Sequence, residues 1–279
     1  MKATLSTALA AALVLSLPAC QQQKHDGSDA AAAEAPASLG AVSGTWKIDL
    51  ASLKFEGKPD EYLLKDGSFS CSSCTPPYTL AADGQMHPVA DRDYWDSASV
   101  KAVDDKTVEF HRAKAGKEVS SMTQSVSADG QTMTVKFKDM TTPGQVIEGT
   151  GTLKRAGSAP AGAHAVSGQW QQDKVAEYSE DAQSLTYKVD GKTVTFSGQG
   201  QSYTAELGGP EVAIQGDTGG TMVKVSAEGS GSLKETFSRK GKETGYAILT
   251  PGADGKSISV TYTDTQDGTS TSWTGNKAS

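Results

Sequence analysis

The chain has 279 residues, 30 of them glycine, with 6 % aromatic side chains and a mean hydropathy of −0.42. This excludes a multi-pass membrane protein and disfavours a single large aromatic core. The formal charge is −7, and −8 once Lys2 leaves with the leader; with no basic block, nucleic acid and anionic lipid headgroups are poor partners.

The first residues are Met1-Lys2, then an apolar run from Ala3 to Leu17, then Pro18-Ala19-Cys20. One positive charge, a short apolar stretch and a small residue before the cut make a secretory leader, residues 1–19. The run is about 15 residues long, short of the roughly 20 a membrane-spanning helix needs. Leu17-Pro18-Ala19-Cys20 resembles the lipobox of bacterial lipoproteins. That resemblance implies that Cys20 is acylated and becomes the new N-terminus. Each buried CH₂ of the acyl chains adds about 0.8 kcal/mol, so several chains anchor stably. Gln21 stands where an Asp would imply inner-membrane retention, so the resemblance implies an outer-membrane lipoprotein facing the periplasm, with palmitate-type acylation. Residues 20–38 follow as a tether with no apolar side chain larger than Ala, too polar to pack.

After the tether the chain repeats itself. Ala41-Val42-Ser43-Gly44-Thr45-Trp46 returns as Ala165-Val166-Ser167-Gly168-Gln169-Trp170. Further on, Tyr78-Thr79 matches Tyr203-Thr204, Gly116-Lys117-Glu118 matches Gly241-Lys242-Glu243, and Ala128-Asp129-Gly130 matches Ala253-Asp254-Gly255. A period this long means two domains rather than a solenoid. The expected boundaries are 39–156 and 165–279, joined by the small residues Ala156 to Ala163. Each copy is expected to fold independently.

Within each copy the hydrophobic period is two. Met133, Val135 and Phe137 alternate with polar residues, and Tyr187 and Val189 lead through Asp190-Gly191 to Val194 and Phe196, a hairpin signature. About eight short strands per copy and no amphipathic helix predict an all-β chain of two tandem antiparallel up-and-down barrels, since closure removes exposed sheet edges. Gly44-Thr45-Trp46 and Gly168-Gln169-Trp170 each open a copy as the Gly-x-Trp motif opens a lipocalin barrel. The resemblance implies that Trp46 and Trp170 close barrel ends beneath a late basic residue, with Arg155 or Lys154 as the candidate in the first copy and Lys277 in the second. The chain also resembles a broad set of uncharacterised bacterial lipoproteins with such an opening and short β-repeats, a resemblance that brings no activity with it.

Catalytic signals are thin. His25, His87, His111 and His164 show no metal-ligand or triad spacing, and no nucleophile elbow, phosphate loop or dinucleotide fingerprint is present. No enzyme activity, cofactor or metal is therefore expected. Asp91 to Asp96 gathers three carboxylates beside Tyr94 and Trp95; Arg92 offsets one charge and the glycine turn of a calcium loop is missing, so it reads as a solvated loop over a barrel mouth. Cys71 and Cys74 lack a haem-attachment His, a second cysteine pair and a βα setting, which leaves a local structural disulfide in an oxidising compartment. Since an extended strand would hold their Cα atoms about 10 Å apart, the chain between them must turn. The functional expectation is a membrane-anchored, non-catalytic lipoprotein holding a small apolar or amphipathic ligand in a barrel, with Trp46, Tyr94, Trp95 and Trp170 as candidate mouth or ligand residues. The alternative is a structural or interaction lipoprotein with side-chain-filled barrels and protein partners. A void of roughly 300 Å³ or more would favour the first reading.

Overall fold

A computed structural model describes residues 38–278; the leader, Cys20 and all of the tether but Ser38 lie outside the described residues. The described residues are all-β, with twenty strands in two ten-stranded antiparallel sheets. A one-turn 3₁₀ helix, Leu39–Val42, leads into β1 (Gly44–Glu56). Then come β2 (Asp60–Lys65), β3 (Ser68–Cys71), β4 (Tyr78–Ala81), β5 (His87–Pro88), β6 (Ser97–Asp104), β7 (Thr107–Lys114), β8 (Lys117–Val126), β9 (Thr132–Asp139) and β10 (Ile147–Arg155). The second half repeats them as β11 (Gly168–Tyr178), β12 (Ser184–Asp190), β13 (Thr193–Gly198), β14 (Gln201–Glu206), β15 (Val212–Ala213), β16 (Met222–Glu228), β17 (Ser232–Arg239), β18 (Lys242–Pro251), β19 (Ser257–Asp264) and β20 (Ser270–Lys277). The count of ten per sheet exceeds the expected eight, and one strand in each, β5 and β15, is only two residues long.

Both sheets are up-and-down meanders curled almost to closure. The first is sealed by a bridge between Asp83 and Lys101, the second by one between Ser202 and Gln215. The alternation foreseen in the sequence is the inward and outward alternation of these walls: Met133 and Val135 are buried, Thr134 between them is half-buried and Lys136 after them is exposed. The Asp66-Gly67 turn has positive φ at both residues, 50° and 73°, which joins β2 to β3 with the twist a hairpin requires.

The repeat boundaries of the sequence are not the boundaries of the sheets. β1 does not pair with β2. It lies between β12 and β20, with Gly44 opposite Tyr187 and Trp46 opposite Lys277. β11 lies between β10 and β2, with Trp170 opposite both Arg155 and Asp60. Each repeat's opening strand thus closes the other repeat's barrel. The first barrel is a contiguous segment, β2 to β11, inserted between β1 and the rest of the second barrel, β12 to β20. The chain crosses between barrels at residues 57–59 and again at 179–183, and β1 and β11 lie against each other. The expectation that each repeat makes its own barrel is revised accordingly. The two opening segments carry the same Ala-Val-Ser-Gly-x-Trp pattern, so either satisfies the same slot.

This exchange also crosses the tryptophan caps. The Arg155 guanidinium of the first repeat lies 4.0 Å from the ring centroid of Trp170 of the second, and the Lys277 amine of the second lies 5.1 Å from Trp46 of the first. Both indoles are fully buried, and each donates its N–H to the carbonyl four residues earlier, Val42 for Trp46 and Val166 for Trp170. The glycine of each motif makes room for the cation. A Cβ on Gly44 would sit 2.6 Å from Lys277 Cε, and one on Gly168 2.9 Å from Arg155 Nη1, both at positive φ.

Candidate functional site

The duplication supplies an internal control on what a barrel interior needs. Register confirms the equivalence of the two walls: Tyr62 pairs with Cys71 and Cys71 with Tyr78, as Tyr187 pairs with Phe196 and Phe196 with Tyr203. On β7 the inward residue Phe110 pairs with Val100 and Met122; at the equivalent place on β17, Glu235 pairs with Val225 and Ala247.

The first barrel is filled by apolar groups at this level. Phe110 meets Phe69 edge to face at 5.1 Å between centroids, and Phe69 in turn packs on Tyr62 and Tyr78. In the second barrel Phe69 is replaced by Val194, Leu80 by Ala205 and Phe110 by Glu235. These changes remove volume and introduce a carboxyl. The result is a cavity of about 70 Å³ beside Glu235.

Glu235 is 2 % exposed. Its Oε1 accepts a short hydrogen bond from the Tyr203 hydroxyl, and the Tyr187 hydroxyl also bonds the carboxyl. Burial pushes the carboxyl up to about 7, against the pull of the Tyr203 and Tyr187 donors. Both tyrosines are in turn raised well above their ordinary range, by burial first and then by the neighbouring carboxyl. Aromatic rings make much of the remaining wall. Phe196 stands 5.0 Å from Tyr187 and 5.4 Å from Tyr203, and across the cavity Phe237 stands 5.8 Å from Tyr262. Gln199 and Gln201 add amides.

Arg239 also lines this cavity, at the end of β17, and there the first barrel meets the second. The Arg239 guanidinium donates to Thr221 Oγ1 at 2.9 Å and to Asp93 at 3.3 Å, and it lies 4.9 Å from the Tyr94 ring. Asp93 also accepts from Lys240 at 2.8 Å, and the Tyr94 hydroxyl donates to Asp217 at 2.7 Å.

The sequence-nominated residues distribute as follows. Tyr94 and Trp95 line a second cavity, of about 160 Å³, between the barrels; Trp95 there faces the Arg92 and Arg112 guanidinium groups at 5.2 and 5.1 Å. Trp46 and Trp170 line neither cavity and are sealed into the barrel ends. The carboxylates of the 91–96 loop diverge: Asp93 goes to Arg239 and Lys240, while Asp96 accepts from the Ala115 amide at 2.8 Å. Among the described residues no group of three His, Cys, Asp or Glu is placed to hold a metal ion. His87 bonds Asp83 and His111 bonds Glu118, each at 2.8 Å, and His164 bonds the Asp104 carbonyl. Cys71 and Cys74 are joined in a disulfide with Cα atoms 5.4 Å apart, so the chain turns between them as the spacing demanded.

Sequence reading passed over Glu235. A single acidic residue in Ser232-Leu233-Lys234-Glu235-Thr236-Phe237 looks like any polar position of a strand. The signal was present in the alternation, since Leu233, Glu235 and Phe237 share a face, and in the comparison with Val108, Phe110 and Arg112 of the first copy. Comparison of the chain with protein-family models, with curated proteins and with solved structures finds no match.

Proposed function

We propose that this protein is a non-catalytic binding module, held at a bacterial envelope membrane by lipid on Cys20 and facing the periplasm, in which the second barrel takes the ligand. The observation that carries the reading is the replacement of Phe110 by Glu235 at equivalent interior positions, with Val194 in place of Phe69. Burying an ionisable carboxyl costs several kcal/mol before its partners offset the loss, and an apolar residue of similar volume is often neutral or stabilising in its place. The first barrel closes with such apolar residues, so the fold does not require Glu235. A buried carboxyl partnered by two tyrosine hydroxyls beside a cavity is a candidate binding site.

The size of the cavity restricts the ligand. About 70 Å³ is well below the roughly 300 Å³ that would favour binding on volume alone, so the reading rests on the buried carboxyl and not on the size of the void. The cavity takes a small molecule or the polar head of a longer amphipathic one, and a fully enclosed acyl chain does not fit. The filled interior of the first barrel favours a second role for that half, as a structural or interaction unit whose loop 91–95 braces the mouth of its neighbour.

The test is native mass spectrometry of the full-length protein released gently from its own envelope. A small adduct is expected on the wild type and not on Val194→Phe, which restores the first barrel's filler. Bare protein in both samples overturns the binding reading and leaves the interaction role.

A further inference from the structure

We infer that the Glu235 cavity is a site for a small organic ammonium group, either a free alkylamine or the amine head of an amphipathic molecule. The inference rests on the binding reading above and names the ligand class.

Three features of the wall select a cation. The first is the carboxylate. An ionised carboxylate offers about four acceptor positions, and the Tyr203 and Tyr187 hydroxyls occupy two of them, which leaves acceptor capacity toward the cavity. A donor that completes the set forms charge-assisted hydrogen bonds, the strong kind. The second is the aromatic lining. Tyr187, Phe196 and Tyr203 form a continuous run on one side and Phe237 with Tyr262 a pair on the other. Ring faces carry partial negative charge, and rings gathered around a cavity with one carboxylate are the recurrent arrangement for ammonium ions. The third is scale. A cavity of about 70 Å³ admits a short alkylammonium group and excludes a bulky ligand.

The one cation in the wall, Arg239, does not contradict this. It lies four residues along β17 from Glu235, about 13 Å along a strand, and its charge faces Asp93 and Asp217. An anionic ligand is disfavoured by the carboxylate below it. The first barrel keeps the two tyrosines, as Tyr62 and Tyr78, but has Cys71 at the place of Phe196 and Phe110 at the place of Glu235, so its aromatic rings surround no carboxyl.

Affinity should rise with pH. A bound ammonium needs the ionised carboxylate, and the titratable and charged groups facing Glu235 are Tyr187, Tyr203 and Tyr262 with Arg239 at the mouth. None of these changes charge between pH 6 and 8, so the dependence in that range belongs to Glu235.

The experiment is a titration of the folded protein with ethylammonium, with its neutral isostere ethanol and with acetate, followed by NMR of the tyrosine and phenylalanine rings. Ethylammonium is expected to shift the Tyr187, Phe196 and Tyr203 signals. It should bind about tenfold more tightly at pH 8 than at pH 6, at least tenfold more tightly than ethanol, and at least tenfold more weakly to Glu235→Gln. Val194→Phe, which fills the space but keeps the carboxyl, should abolish the shifts. Should that variant misfold, Phe196→Leu, which removes one cage ring, is expected to weaken ethylammonium several-fold. Ethanol binding as well as ethylammonium, with no effect of Glu235→Gln, overturns the cation assignment and leaves a binding cavity. No shift with any of the three probes overturns the binding reading together with it.

Discussion

At the residue scale, Glu235 makes the stability of the second barrel depend on pH with a definite sign. Its carboxyl is raised from 4.5 to about 7 in the fold, so between those values the native state holds a proton that the unfolded chain has released. Stability is therefore full below about 4.5, declines as pH rises toward 7, and then levels. At 1.36 kcal/mol per unit the loss is about 3 kcal/mol. Asp93 acts elsewhere on the pH scale. Burial pushes its carboxyl up, but Lys240 and Arg239 outweigh burial and hold it below its ordinary range, so its contribution is lost only in acid. Urea melts at pH 5 and pH 8 should show the wild type weakened at the higher pH and Glu235→Gln nearly level. An equal fall in the variant would assign the effect to another group.

At the element scale, the exchange of β1 and β11 changes which fragments are complete. Residues 60–178 contain every strand of the first barrel and should fold alone, with a cooperative melt and a β-type circular dichroism spectrum. Residues 184–279 lack a strand between β12 and β20, which leaves two long unpaired edges, and should be aggregated or molten. Adding a synthetic peptide of residues 44–56 should restore a cooperative melt. A fragment from Ala163 onward should fold without that peptide, because β11 carries the same Val-Ser-Gly-x-Trp pattern and can take the vacant slot. A cooperative melt of residues 184–279 alone would show that β1 is dispensable to its sheet. The same equivalence made the exchange invisible beforehand. Hydrophobic alternation states that a strand has one buried face and does not state which of two matching edges it joins.

At the scale of the whole molecule, the barrels are bound by the two crossovers, by β1 lying against β11, and by the contacts of Asp93 and Tyr94 with Arg239, Lys240 and Asp217. The wall of the Glu235 cavity comes from the second barrel, and the 91–95 loop of the first contacts two of its residues, Arg239 and Thr221, from outside. The proposed anchor acts on the molecule as a unit. With two or more acyl chains on Cys20, membrane attachment would be stable and would not depend on the charge of the barrels. Cys20→Ala should move the protein from the membrane fraction to the soluble periplasmic fraction with its thermal melt unchanged. A variant that still floats with membranes, or a wild type into which labelled palmitate does not enter, would refute the anchor.

The all-β class, the duplication, the Asp-Gly hairpins and the Cys71–Cys74 bridge were legible in the sequence, whereas the cations over Trp46 and Trp170 were expected within each copy and come instead from the other one. Each legible feature depends on residues close along the chain or on the comparison of one repeat with the other: a period of two, a turn dipeptide, a three-residue cysteine spacing. Two things were left to the tertiary structure. One is the partner of each opening strand, because two nearly identical segments compete for two equivalent slots and only the closed, crossing chain settles which fills which. The other is the site. Glu235, Tyr203 and Tyr187 stand on three different strands, and no local pattern marks a carboxyl as inward-facing and partnered until the barrel wall curls and brings the three together. Local propensity acts along the chain, whereas burial of a charge and the shape of a cavity are properties of the closed surface.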